Sequence, residues 1–152
     1  MTDFAEQAPP AADQGPVPIG RLHHLVMDCR DPAALAHFWS GLLGLPVTYA
    51  DDDFVVVSVS QQLSGLAFQR SPGHVAPDWP GAQGQQQMHL DVMVDDVAAA
   101  TEQARAIGAR QLSGDGTVLA DPAGHPFCLI PRPGWAPPVN AEGPEGSSGS
   151  SG

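Results

Sequence analysis

Two histidines stand in closely similar surroundings in the two halves of the chain. His24 opens the stretch His-Leu-Val-Met-Asp-Cys, and His89 opens the stretch His-Leu-Asp-Val-Met-Val. An imidazole can bind a divalent transition metal, and it can also transfer a proton near neutral pH. Because both histidines occupy repeat-related positions, they are candidates for one shared site, although a structural role at a strand start is the alternative for each.

The elements that would position these histidines follow from the same repeat. Seven positions separate each histidine from an aspartate, which is Asp31 in the first copy and Asp96 in the second. The stretch between them is short, apolar and β-prone, so it predicts a strand. Aspartate accepts hydrogen bonds from the first turn of a helix, so each one predicts a helix start. Apolar residues then recur at helical spacing, and Gly44 and Gly108 are placed to end the helices in left-handed caps.

Further β-prone runs follow each predicted helix and are separated by turn signals. Each half therefore predicts the order strand–helix–strand–strand–strand, and the chain predicts an α+β fold of two tandem β-α-β-β-β units. The delimited runs are 54–59 and 63–69 in the first half, and 109–112, 117–120 and 126–130 in the second.

Proline- and glycine-rich ends flank this repeat. Residues 1–20 predict a flexible, disordered tail, and residues 133–152, which end in a Gly-Ser repeat, predict another. Residues 21–132 predict a single domain built from units 21–70 and 86–132.

Charge and composition exclude several classes of function. The 152-residue chain has six arginines and no lysine against 17 acidic residues, a formal net charge of −11. Such a surface repels phosphate backbones, so we expect no nucleic-acid partner. No apolar run approaches the roughly 20 residues of a membrane helix, so we expect no membrane association. The N-terminus lacks a secretory pattern, which predicts a cytoplasmic protein with reduced thiols at its two cysteines.

Three motifs resemble the vicinal oxygen chelate superfamily, which includes glyoxalase I, extradiol dioxygenases and bleomycin-resistance proteins. They are Leu-His-His-Leu-Val at 22–26, His-Leu-Asp-Val at 89–92 and Asp-Pro-Ala-Gly-His-Pro-Phe-Cys-Leu-Ile at 121–130. The last motif is the most specific, and the chain looks most like small actinobacterial glyoxalase-like proteins. The resemblance implies a cup-shaped mixed sheet with the helices outside. It leaves open whether the units pair within one chain or between the chains of a homodimer.

The resemblance also implies a role for the two histidines. In metal-dependent members, each unit supplies two ligands to one divalent ion, one from its opening strand and one, usually glutamate, from its closing strand. His24 and His89 match the two opening positions. A divalent ion such as Zn²⁺, Ni²⁺, Fe²⁺ or Mn²⁺ is the cofactor that this match implies.

The closing strands depart from that pattern. The position of the glutamate falls at Cys128 in the second unit, and at Ala67 or Phe68, beside Gln69, in the first. The implied ligand set is therefore the two histidines with Cys128 and Gln69, or no metal at all. Cys128 as a small buried hydrophobic residue is the alternative. Because neither closing strand offers a carboxylate, we expect neither glyoxalase I nor extradiol dioxygenase activity.

Alternation along the strands assigns the other candidates. If His89 faces the cup, Asp91 and Met93 do so too, and Val26 and Asp28 share the face of the first histidine. A carboxylate in a partly apolar cup is costly unless it is paired or functional. Asp91 is therefore a candidate catalytic group, and orienting His89 is its alternative role.

The remaining candidates would contact a ligand. Val26, Asp28 and Met93 would line the cup, and Trp79, in the connection between the units, would close it and stack on a flat ligand. We expect a small organic molecule as the partner. Two functions stay open: an enzyme such as a lyase, with a degenerate or absent metal site, or a non-catalytic sequestering protein of the bleomycin-resistance type.

Overall fold

The computed structural model describes residues 17–79 and 88–140. The first unit contains β1 (His24–Cys29), α1 (Pro32–Leu43), β2 (Val47–Ala50), β3 (Phe54–Val57) and β4 (Gly65–Arg70). The second contains β5 (Leu90–Val94), α2 (Val97–Ala106), β6 (Arg110–Gln111), β7 (Val118–Ala120) and β8 (Pro126–Pro131). The predicted β-α-β-β-β order is confirmed in both halves.

Each unit forms a four-stranded mixed sheet with the same connectivity. The strand orders are β1-β4-β3-β2 and β5-β8-β7-β6. The opening and closing strands of a unit are parallel neighbours, whereas the other pairs are antiparallel. The predicted α+β class is therefore confirmed, and the connectivity places residues of the opening strand directly beside residues of the closing strand.

Both predicted helix starts are confirmed. Asp31 accepts the N–H of the residue three positions further on at 3.0 Å, and Asp96 does the same at 2.9 Å. Each cap satisfies a backbone donor that the first helical turn cannot satisfy itself. Gly44 ends α1 with φ of 66°, as predicted. Gly108 lies two residues beyond α2 with φ of 121°, so its conformation is positive without being the predicted left-handed cap.

Side chains alternate between the two faces of each sheet as predicted. The core-facing residues pack with the helices and are Met27, Cys29, Leu90, Val92 and Val94. The opposite face of each sheet is called the open face from here on. It carries the residues that alternate with the core-facing residues along β1 and β5. These alternating residues are Val26 and Asp28 on β1 and Asp91 and Met93 on β5, all of which are exposed.

One core joins the two units. Trp39 on α1 lies against Phe127 on β8, with 5.2 Å between the ring centroids. The indole N–H of Trp39 donates a 3.0 Å hydrogen bond to the carboxylate of Asp121, which follows β7. Asp121 also accepts the backbone N–H and the ring nitrogen of His125. His125 is therefore held against a buried carboxylate.

The first residues of the predicted C-terminal tail contact the domain instead of extending away from it. Asp95, at the end of β5, pairs with Arg132 at 2.8 Å and accepts the N–H of Val139 at 3.1 Å. Ala136 is buried, and its carbonyl accepts from Arg132. Residues 133–140 therefore pack against the domain, because Asp95 offers acceptors to a chain that returns past it.

The rest of the predicted tails is little described. Residues 17–20 are exposed and lack regular structure. The predicted tails at 1–16 and 141–152, and residues 80–87 of the connection between the units, lie outside the described residues. Within the described part of the chain, neither helix is long and apolar enough to cross a membrane.

Candidate functional site

Three of the predicted site residues meet on the open face of the second sheet. A ring nitrogen of His89, a carboxylate oxygen of Asp91 and the sulfur of Cys128 all lie within 4.8 Å of one another. The parallel pairing of β5 with β8 puts Asp91 opposite Cys128. His89 lies directly before β5, and its Nε2 approaches Asp91 Oδ1 to 3.2 Å. The pairing of β5 with β8 and the approach of His89 to Asp91 therefore assemble this group, called the β5–β8 cluster from here on.

The β5–β8 cluster is polar and accessible. His89 Nε2 lies 3.2 Å from Asp91 Oδ1, and the two side chains are 41% and 42% exposed. Burial raises the pKa of the Cys128 thiol above its usual range, and the charges of Asp91 and Asp115 raise that pKa further. Cys128 is therefore a protonated thiol at neutral pH and lacks the activation of a cysteine nucleophile.

His24 differs from His89 because its ring already accepts a hydrogen bond from the backbone of the first unit. Its Nδ1 accepts the backbone N–H of Gly65 at 3.2 Å. A neutral imidazole that accepts at Nδ1 carries its proton on Nε2, so neither nitrogen is free to bind a metal. Burial, and then the neighbouring His23, lower the pKa of His24, which favours this neutral form. The predicted metal-ligand role of His24 therefore does not fit its hydrogen bonding.

The first unit also lacks the other two members of the β5–β8 cluster. By the matching registers, Val26 pairs with Ala67 where Asp91 pairs with Cys128 in the second unit. The closing-strand position left open by the sequence is thus Ala67. A valine and an alanine offer no donor atom to a metal ion.

Gln69, the predicted fourth ligand, lies at the other end of its strand. It pairs with Asp28, whereas His24 pairs with Gly65. Four residues of a strand span about 13 Å, so Gln69 is too far along β4 to share an ion with His24. The predicted four-ligand set is therefore not assembled, because strand register separates its members.

A pocket of about 540 Å³ occupies the open face of the first sheet. His24 lines it, and the ring of His23 lies 3.8 Å from that of His24 by centroids. The two rings lie side by side because β1 begins only at His24, so strand alternation does not extend to His23. The other lining residues are Thr48, Tyr49, Asp51, Phe54, Val56, Ser58 and Gln61.

An aromatic hairpin forms one wall of this pocket. Tyr49 donates a 2.6 Å hydrogen bond to Asp51, which also accepts two backbone N–H groups of its own turn. The rings of Tyr49 and Phe54 lie 6.5 Å apart at 60°. Sequence reasoning missed both residues. The available signal was a tyrosine and a phenylalanine flanking the Asp51-Asp52-Asp53 turn.

The hydroxyl groups in the pocket are already paired within the protein. Ser58 and Thr48 share a 2.7 Å hydrogen bond, and Ser58 also donates to the carbonyl of Ser60 at 2.8 Å. The Gln61 amide donates to the carbonyl of Thr48 at 3.2 Å. The pocket therefore presents mostly ring faces and alkyl groups, with few unpaired polar atoms.

The remaining candidates are dispersed. Val26 and His89 line a second cavity of about 270 Å³, between residues 25–27 of β1 and residues 88–90 at the start of β5. Met93 is exposed on the side of Asp91. Asp28 is exposed beside Gln69, and Trp79 is partly buried, but neither lines these two cavities. The structure thus brings Val26 near His89 but does not gather all four predicted ligand-binding residues.

A model of the glyoxalase-like domain matches residues 24–130, which is most of the chain. The protein belongs to the glyoxalase-like domain family. The resemblance to the vicinal oxygen chelate superfamily is thereby confirmed. No curated protein matches this glyoxalase-like domain.

Solved structures share the fold of this glyoxalase-like domain at low sequence identity. A glyoxalase/bleomycin resistance protein/dioxygenase family enzyme from Burkholderia phytofirmans PsJN is 17% identical, with a TM-score of 0.55 over 72% of this chain and 97% of that one. A glyoxalase-related enzyme from Fulvimarina pelagi is 20% identical, with a TM-score of 0.52 over 75% and 89%. Protein ATC0852 from Agrobacterium tumefaciens is 16% identical, with a TM-score of 0.56 over 76% and 100%. These likenesses establish the fold and not the reaction.

The metal arrangement implied by the superfamily does not fit this glyoxalase-like domain. It needs a ligand from both opening strands and from both closing strands. In the first unit, Nδ1 of His24 accepts a hydrogen bond from Gly65, and the closing-strand position of the ligand is occupied by Ala67. No step through a metal shared by the two units follows from these residues.

Proposed function

We propose that the protein binds a small organic molecule with a flat apolar part in the pocket of the first sheet. The observation that carries this proposal is the half-exposed ring of Tyr49, 52% accessible and anchored by its hydroxyl to Asp51. A ring that is fixed at its polar end and open along its face is a ready stacking surface. The pocket volume of about 540 Å³ lies within the roughly 300–1,000 Å³ typical of small-molecule sites.

His24 gives this pocket a directional polar contact. With Nδ1 committed to Gly65, the proton-bearing Nε2 is the group that His24 offers as a donor. A carbonyl, ether or hydroxyl oxygen on the ligand is its complement. The proposed ligand therefore combines a flat ring with a hydrogen-bond acceptor near one edge.

Sequestration without chemistry is the function that this pocket supports best. Its hydroxyl groups are paired within the protein, so none is poised as a nucleophile. A catalytic function, such as that of a lyase, is favoured only by the β5–β8 cluster on the other sheet. We expect no glyoxalase I or extradiol dioxygenase activity, and we expect the protein to act in the cytoplasm as a monomer or homodimer.

The only tyrosine in the chain provides the test, because Tyr49 is that residue. Protein labelled with 3-fluorotyrosine will give a single ¹⁹F resonance from the pocket wall. Titration with neutral bicyclic aromatic fragments that carry a carbonyl, such as quinolone, coumarin and indanone, should shift this resonance saturably for at least one fragment.

Two loop variants make the test specific. Gln61→Trp places a large ring at the pocket and should abolish the saturable shift. Leu63→Trp, two positions further along the same loop and also exposed, should leave the shift intact. If no fragment shifts the resonance, or if both variants block the shift equally, the pocket is not the binding site.

A further inference from the structure

We propose that the second unit alone holds one divalent metal ion, Zn²⁺, on His89, Asp91 and Cys128. The three donor atoms already lie within 4.8 Å of one another, and the pairing of β5 with β8 holds two of them, on Asp91 and Cys128, side by side. This site would differ from the arrangement that the superfamily implies, since it takes no ligand from the first unit and uses Asp91 in place of the second histidine.

The spacing of the donors suits zinc. Bonds of about 2.0–2.1 Å at tetrahedral angles put two ligand atoms roughly 3.3 Å apart. His89 Nε2 and Asp91 Oδ1 are separated by 3.2 Å. These two donors therefore stand at the distance of two zinc ligands before any ion binds. The Cys128 sulfur lies within 4.8 Å of both atoms, and a Zn–S bond of about 2.3 Å requires it roughly 3.6 Å from each.

The donor chemistry also points to zinc. An imidazole, a carboxylate and a thiolate form a mixed nitrogen, oxygen and sulfur set, which zinc accepts more readily than Mg²⁺ or Ca²⁺. On binding, the Cys128 thiol proton passes to solvent, and the sulfur forms the bond to the metal. The two negative ligands then balance the charge of the ion.

Three protein ligands leave a fourth position of the tetrahedron for water or a ligand atom. His89 and Asp91 are both about two-fifths exposed, so solvent has access to that position. Structural zinc sites are usually closed by four protein ligands, whereas catalytic sites keep one position open. The β5–β8 cluster has the second pattern.

The assay is metal binding by the full-length chain, prepared without a polyhistidine tag and stripped with a chelator. Calorimetry with Zn²⁺ should give one ion per chain. Titration with Co²⁺ should give a sulfur-to-cobalt charge-transfer band in the near ultraviolet. Cys128→Ser should remove this band. Cys128→Ser and Asp91→Asn should each weaken Zn²⁺ binding by more than about tenfold, since even outer-shell partners are worth roughly 10–100-fold.

The controls separate this site from one shared by the two units. His24→Asn, Gln69→Ala and Cys29→Ala should leave Zn²⁺ affinity unchanged within about twofold, provided that circular dichroism shows each variant folded. If His24→Asn weakens binding as much as Asp91→Asn does, the ion bridges the two units and the proposal is wrong. If the wild type gives no charge-transfer band, Cys128 is not a ligand. Neither result bears on the aromatic pocket, which Gln61→Trp tests separately.

Discussion

Replacing Trp39 by phenylalanine tests the contact that joins the two units. The indole N–H donates to a carboxylate oxygen of Asp121 across 82 positions of sequence, and the Asp121 side chain is fully buried. A hydrogen bond to a charged group contributes about 1.5–3 kcal/mol, and its loss leaves a buried carboxylate one donor short. The smaller ring also leaves a void beside Phe127, which adds roughly 1–2 kcal/mol.

We therefore expect Trp39→Phe to lower the free energy of unfolding by about 2.5–5 kcal/mol. This is a large share of the roughly 5–15 kcal/mol of a typical domain. Urea denaturation followed by far-ultraviolet circular dichroism measures the change. A double-mutant cycle with Asp121→Asn, which keeps the shape of the side chain but removes its charge, should give a coupling energy of about 1–2 kcal/mol.

Trp135→Phe is the matched control, because Trp135 is half-exposed and lies beyond the sheets. It should change stability by less than about 0.5 kcal/mol. If Trp39→Phe costs no more than Trp135→Phe, or if the cycle shows no coupling, the indole–carboxylate bond does not join the units in the way inferred here.

Three further outcomes are expected. The N–H of Val139 is the main group that lowers the pKa of Asp95 below its ordinary 3.8, so the docking of residues 133–140 should persist above pH 3.8 and be lost as pH falls through the lowered value. Amide exchange at Val139, expressed as a protection factor relative to the intrinsic rate at each pH, measures this loss, and a protection factor that does not fall on acidification contradicts it. Burial raises the pKa of Cys29 to about 11, so iodoacetamide at pH 8 should leave Cys29 unlabelled in the native protein. Cys128 should react slowly, and Zn²⁺ should protect it from labelling; peptide mass spectrometry measures both cysteines. Cys128→Glu should shift metal preference from Zn²⁺ towards Ni²⁺ or Mn²⁺ in calorimetry. Turnover of a methylglyoxal–glutathione adduct or of a catechol by the wild type would refute the expected absence of glyoxalase I and extradiol dioxygenase activity.

Local signals in the sequence were sufficient for most of the fold. Asp31 and Asp96 cap their helices because a cap depends on a side chain and the backbone only a few residues away. Alternation along β1 and β5 was also predictable, since the strand period is a property of each segment alone. The strand β2 could not be delimited, because it is short, mostly exposed and interrupted by a register shift between Val47 and Tyr49.

The candidate site was predictable only in part. His89, Asp91 and Cys128 were each singled out from the repeat, the alternation and the resemblance. That the three form one cluster depended on the pairing of Asp91 with Cys128 across β5 and β8. This pairing joins positions far apart in sequence, so no local pattern encodes it.

The first unit shows most clearly how long-range packing selects among the candidates. The repeat gave His24 and His89 the same predicted role as metal ligands. The backbone N–H of Gly65, however, donates a hydrogen bond to Nδ1 of His24, so this nitrogen is not available to a metal ion. Register likewise puts Gln69 beside Asp28 rather than near His24. Local sequence patterns were enough to identify which side chains could act and which face of a strand each strand residue would occupy. Which of them meet was decided by strand register and by hydrogen bonds between distant segments, because both arise only when the whole chain has packed.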